Sequence, residues 1–160
     1  MHTVNPVGIV GGKIMEFLST DEARKLIELT KLSLIDAISS PKAGGDILFD
    51  VQSDTTTDLF SVNIYRGKIN KHKYNYGARI KKNGIILLEL HVNAGNRHMN
   101  PDGTIIPGSH WHYYTQEHGM KYAFAASDIN STDFVENTLL FLKEFNVINT
   151  PTINHQTDLF

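Results

Sequence analysis

The chain has no cysteine among its 160 residues. Disulfides, thiolate metal sites and cysteine nucleophiles are therefore excluded, and a reducing compartment fits this composition. An excess of one charge is missing too. Fifteen Lys and Arg stand against seventeen Asp and Glu, a formal net charge of −2. Without a global basic field, affinity for nucleic acid driven only by phosphate neutralisation is not expected. No run approaches the roughly 18 apolar residues of a membrane span. The opening segment MHTVNPVGIVGG has no basic start and no long apolar stretch, so it does not read as a secretory signal. These absences predict a cytoplasmic protein with no membrane partner. Two nucleotide and acyl-transfer motifs are also lacking. Gly8-x-x-Gly11-Gly12 has no P-loop lysine and Ser/Thr pair, and no Gly-x-Ser-x-Gly elbow occurs.

What remains is an ordinary folding composition, 41% hydrophobic and 20% charged. It predicts one α+β domain over residues 1–160, with a flexible leader at 1–13 and tail at 147–160. Ser19 and Glu22 form a capping box. Ala23, Leu26, Ile27, Thr30, Leu34 and Ile38 follow at helical spacing, so the first helix is expected over 20–39. Strands are expected around Ile47–Val51, Phe60–Ile64, Tyr74–Ile80, 85–93, 109–115 and 121–125, where apolar residues alternate. Asn83-Gly84 predicts a type I′ hairpin turn. A second helix is expected from Ser131, in a glycosylation-like Asn130-Ser131-Thr132 triplet read as a cap, to Phe145. Its inner stripe would be Val135, Leu139 and Leu142. The architecture expected is a mostly antiparallel sheet of five or six strands, with one N-terminal and one C-terminal helix packed on one face.

Two clusters carry chemistry. Arg66, Lys68, Lys71, His72, Lys73, Arg79, Lys81 and Lys82 fall in one short run. They read either as solvated strands whose lysines guard an edge or as a nucleic-acid groove. The second cluster is denser. Five of the eight histidines lie between His91 and His118. In strand 85–93, His91 faces away from the apolar residues Leu88, Leu90 and Val92. In strand 109–115, His110, His112 and Tyr114 share one face, and Trp111 and Tyr113 the other. If these strands pair, His91, His110 and His112 converge. The turn-rich loop between them would carry His98, Asn100 and Asp102 over the trio, beside an aromatic wall of Trp111, Tyr113 and Tyr114.

Three chemistries fit that arrangement. One is a divalent metal such as zinc, iron or manganese on His91, His110 and His112, with Asp102 or Glu89 as carboxylate. Another is metal-free acid–base cleavage of an RNA or nucleotide phosphodiester. There His91, His110 and His112 would share proton transfer and Tyr114 would position the phosphate, with Arg79 or Arg97 stabilising charge. Asn93, Arg97, His98, Asn100, Asp102 and Trp111 would bind substrate. The third is structural, with the polar face serving as a partner-binding surface.

The run from His91-Val92-Asn93 through His98-Met99-Asn100-Pro101-Asp102-Gly103, Ile106-Pro107-Gly108 and His110-Trp111-His112 resembles a family of unknown function, DUF6978, of small proteins of Gram-positive bacteria and their phages. The resemblance spans residues 89–125. It departs at Lys121-Tyr122-Ala123-Phe124, where a Trp-Ala-Tyr-Pro-like strand is expected. It implies a phage or prophage setting, and hence a toxin-like nuclease or an inhibitor of a host or defence protein. The reading carried forward is a histidine-centred site acting on RNA or a nucleotide phosphodiester. The alternatives are a non-catalytic inhibitor and a small metal-dependent hydrolase.

Overall fold

The chain enters the fold through an antiparallel hairpin, β1 (Asn5–Val10) and β2 (Lys13–Phe17), and then turns into α1 (Thr20–Glu28). The structure, a computed structural model, describes residues 5–10, 13–93, 95, 97–129 and 133–155. The capping box forms as the sequence dictates. Glu22 N–H donates to Ser19 Oγ at 3.0 Å, and Ser19 N–H donates to Glu22 Oε1 at 3.4 Å.

Helix α1 ends at Glu28, not near residue 39. The helical spacing beyond it is overridden by strand pairing. Residues 31–33 and 37–39 form β3 (Lys31–Ser33) and β4 (Ala37–Ser39). Leu34, expected on the buried stripe, is 53% exposed, and Lys31 is fully buried in its stead. Lys31 Nζ donates to the carbonyls of Ile27, Leu29 and Phe145 at 2.8, 2.7 and 2.8 Å. It thereby satisfies carbonyls at the C-terminal ends of both helices, groups that have no intrahelical partner.

The strands that follow are β5 (Asp46–Ser53), β6 (Leu59–Arg66), β7 (Tyr74–Ile80), β8 (Ile86–Val92), the short pair β9 (His98–Met99) and β10 (Ile105–Ile106), β11 (His110–Tyr113) and β12 (Ala123–Ala125). After them come α2 (Phe134–Glu144), β13 (Val147–Asn149) and β14 (Thr152–Asn154). The main sheet has eight strands in the order β12-β11-β8-β7-β6-β5-β3-β13. It is antiparallel except where β13 runs parallel to β3. The fold is α+β as expected, with a wider sheet than five or six strands. The additions come from the falsely helical 29–39 segment and from the expected tail. Residues 147–149 and 152–154 are paired strands, the latter parallel to β4. Leu159 and Phe160 lie outside the described residues.

Alternation in the sequence sets the core face. Phe60, Val62, Ile64, Tyr74, Tyr76, Ala78, Leu88, Leu90 and Val92 are all buried, and both helices cover them. Each large apolar side chain so buried contributes on the order of 1.5–3 kcal/mol. The α2 stripe is rotated from the expected one. Phe134, Phe141, Leu142 and Phe145 face inward, whereas Leu139 is 42% exposed. Asp133 caps α2, its carboxylate accepting from Val135 and Glu136 N–H. The Asn130-Ser131-Thr132 triplet lies outside the described residues. Asn83-Gly84 makes a turn of another type. Only Gly84 is left-handed, at φ 75°, and the four-residue loop is closed by Ile80 N–H on the Ile85 carbonyl. A type I′ turn needs both residues at positive φ.

Candidate functional site

The opposite face of the sheet carries the site. Strand register lays two rows of side chains across it. One row runs Tyr65, Asn75, His91, His110 over β6, β7, β8 and β11. The next runs Gly77, Glu89, His112 over β7, β8 and β11. Because β8 and β11 pair directly, the three histidines expected to converge do so. Their ring centroids form a near-equilateral triangle, 5.0 Å for His91–His110 and 4.9 Å for each of the other two pairs.

A fourth ring joins them. Expected as a substrate-binding residue in the loop, His98 lies on β9, and its ring centroid is 4.9 Å from His112 and 5.5 Å from His110. Residues 97–108 do not form an open loop. Strands β9 and β10 pair across the turn Asn100–Gly103 and fold over the trio. Spacing alone does not reveal His98 as a ring of the cluster, because its placement depends on that small hairpin.

The hydrogen bonds fix which nitrogens are available. His110 Nδ1 donates to the Gly108 carbonyl at 2.9 Å, so its Nε2 keeps a lone pair when the ring is neutral. Gly108 sits at φ 73°, the left-handed region that glycine enters without penalty, and this presents its carbonyl to His110. His98 Nε2 donates to the Lys121 carbonyl at 2.7 Å, which leaves Nδ1. His91 Nε2 is 3.8 Å from Glu89 Oε2. These are the outer contacts that orient histidine ligands in metal sites. His112 differs. Both its ring nitrogens are buried and neither makes a hydrogen bond. The Met120 backbone lies near enough to favour its protonated form slightly, yet makes no bond of normal geometry. Burial first, then the neighbouring His91 and His110, push His112 down to about 4. Burial also lowers His110, against the opposing pull of Gly108. Both rings are therefore neutral at pH 7, the form that binds metal.

The remaining predicted residues separate into rim and scaffold. Arg97 lines a shallow cavity of about 260 Å³ with Lys73, Asn75, His91, His98 and His110. The sequence places Lys73 only in the basic run, apart from the histidines, and does not single out Asn75. Asn75 was legible, since the alternation that turns Tyr74 and Tyr76 inward turns it outward. Asn93, at φ 55°, donates through Nδ2 to the His72 carbonyl at 2.8 Å and braces two loops.

Asn100 is buried scaffold. Its Nδ2 donates to the Ala123 carbonyl and its Oδ1 accepts from Ala123 N–H, at 2.9 and 2.7 Å, which ties the β9–β10 hairpin to β12. Asn100→Ala should cost about 2–3 kcal/mol in urea denaturation, because both backbone groups lose their partner in a buried setting. Asp102 is exposed and engaged by other partners. It accepts from Tyr122 Oη at 2.6 Å and from Thr104 N–H, which hold its carboxyl down at about 2. Trp111 is buried and stacks on Phe141 at 6.2 Å, so it belongs to the core and not to a binding wall. Tyr114 also leaves the site. Beyond the end of β11 its hydroxyl donates to the Leu18 carbonyl at 2.7 Å, and it packs against the core.

Fold and site together define a small α+β protein with a polyhistidine centre on the face of a mostly antiparallel sheet opposite the helices. The model of a family of unknown function, DUF6978, matches residues 18–147, and the chain belongs to that family. No curated protein and no solved structure matches the chain significantly. Among the described residues, no helix is long and apolar enough to cross a membrane.

Proposed function

We propose that the chain is a small metal-dependent hydrolase of phosphodiesters, with His91, His110 and His112 as the metal ligands. The observation that carries this is His112. A buried imidazole with two unsatisfied nitrogens costs stability and calls for a partner. It sits where one potential ligand atom from each of the three histidines lies within 4.8 Å of the others. Tetrahedral zinc needs nitrogen–nitrogen separations of about 3.3 Å at its usual bond lengths. Binding would therefore require the rings to draw together by side-chain rotation. An all-imidazole set suits zinc, iron and copper better than magnesium or calcium. His98 is not one of the three whose ligand atoms lie within 4.8 Å of one another, and three protein ligands leave a position open, as catalytic zinc sites do.

A bound divalent ion would supply Lewis-acid polarisation and a nucleophilic water. The chain's own groups do the rest. Gly108 and Lys121 hold His110 and His98 in one tautomer. Glu89, beside His91 and His112 in the register, orients His91 and can take a proton from a reacting water. Lys73 and Arg97 bring positive charge to the cavity rim, where a phosphate would sit. Metal-free cleavage could not draw its protonated member from His110 and His112, since burial favours the neutral form of both.

The test is direct. Purified protein stripped with chelator should take up one zinc per chain by elemental analysis and calorimetric titration. It should then cleave bis(p-nitrophenyl) phosphate, and lose that activity again in chelator. Titration without uptake, or activity indifferent to chelator, would sink the proposal.

A further inference from the structure

The basic run that adjoins the site is not one uniform patch. Arg66 is buried and donates to the carbonyls of Lys71 and Pro41. Lys81 pairs with Asp50 at 2.5 Å. Two lysines have another setting. Lys68 and Lys73 flank the β6–β7 loop and line a second cavity of about 350 Å³ with Tyr65, Gly67, Ile69 and Asn70. Lys73 and Gly95 line both this cavity and the one at the histidines, so the two are continuous. Among the described residues, no carboxylate lines either. Asp46, the register partner of Tyr65, accepts from Asn63 at 3.0 Å.

The groove is built. Tyr65 lies in the same row as Asn75, His91 and His110, roughly 10 Å or two strand spacings from His91. The loop that carries the lysines is closed by Gly67 N–H on the Lys73 carbonyl at 2.7 Å and by Lys73 N–H on the Asn70 carbonyl at 3.1 Å. It admits only glycine at 67, where a Cβ would stand 2.2 Å from the Asn70 oxygen. Asn93 then clamps it to the histidine strands through His72. At its lip Ile69 is 97% exposed, an apolar side chain held in water on a fixed loop.

From this we infer that the groove from the histidine centre over Lys73 to Lys68 and Tyr65 binds single-stranded nucleic acid. The lysines track the phosphates, and Tyr65 and Ile69 contact an unpaired base. A lysine-lined groove with an aromatic ring on its floor is how proteins hold single strands without reading their sequence. A duplex hides its base faces from such a floor. The inference rests on the hydrolase reading for its chemistry but not for its binding.

Fluorescence anisotropy of labelled oligouridylate and oligothymidylate, on full-length protein in chelator over a range of salt, tests it. The two probes separate RNA from DNA. Affinity should fall at least about tenfold in Lys68→Glu and in Lys73→Glu. Lys68→Ala should reduce the log–log salt slope by about 0.7, the share of one single-strand phosphate. Lys82→Glu, at the β7–β8 turn and outside the groove, should change neither, and a duplex of the same length should bind more weakly. Equal losses at Lys68 and Lys82, tighter binding of the duplex, or no binding of either single strand would overturn it. Because the assay contains no metal, oligonucleotide binding with the expected losses supports the groove even if zinc uptake fails. Zinc uptake and diester cleavage without oligonucleotide binding would reject the groove alone.

Discussion

Replacing His112 with leucine should make the metal-free protein more stable while it destroys metal binding. The two effects share one cause. In the metal-free state His112 holds two buried nitrogens without partners, each a desolvation cost of about 1–3 kcal/mol. Leucine is of similar bulk, faces the same closely packed rings and removes both polar atoms. Thermal unfolding in chelator should therefore shift upward by several degrees. The wild type should gain stability on adding zinc, about 2.7 kcal/mol at one hundred times its dissociation constant. The leucine variant should lose that gain together with diester cleavage. His110→Leu is the contrast. It also removes a ligand, but strands the Gly108 carbonyl that His110 Nδ1 now satisfies. It should lower stability in chelator. A destabilised His112→Leu that kept its zinc response would assign His112 to packing and remove it from the ligand set, whereas a wild type with no zinc response would end the metal reading.

The same physics explains how far the sequence was legible. Period-two alternation placed the faces of β5 to β8 and of β11, because a half-buried strand in a sheet has only one way to divide polar from apolar. The convergence of His91, His110 and His112 followed from it. Where alternation stopped, legibility stopped. Tyr114 continues the histidine spacing but lies one residue past the end of β11, so its hydroxyl turns to Leu18. Trp111 was placed on the correct face, but that face is the core and not a ligand wall. His98 and Asn100 depend on a hairpin whose strands are two residues each, too short to leave a pattern. The longest error, the helix read through 29–39, came from Lys31. The helical spacing of Ala23, Leu26, Ile27, Thr30, Leu34 and Ile38 carries no sign that Lys31 is the buried member of the segment.

Lys31→Met should be the most damaging single change outside the histidine centre. Methionine keeps the unbranched stem that lies by Phe145 and Phe60, whose rings are 4.0 and 5.2 Å from Nζ. It removes all three donors. The carbonyls of Ile27 and Leu29 at the end of α1, and of Phe145 at the end of α2, lose their partner together. Relief of a desolvated charge offsets part of that loss, since a buried charge carries its own cost. A net destabilisation of about 3–5 kcal/mol follows, a large share of a typical domain's stability. The pH dependence supplies an independent check. Burial lowers Lys31 from 10.5 to about 7 in the fold, against the opposing pull of Asp58. Between these values the unfolded chain binds one more proton than the native one. Wild-type stability should then be flat in this contribution below pH 7. It should rise above pH 7 by at most about 1.4 kcal/mol per unit. Urea denaturation at pH 7, 8 and 9 reads that slope as the difference between wild type and Lys31→Met, in which it is absent. Parallel curves would mean that the three carbonyls and two ring faces hold the ammonium charged throughout. Lys31 would then act as a permanent cation at two helix C-termini, where the helix dipoles favour positive charge.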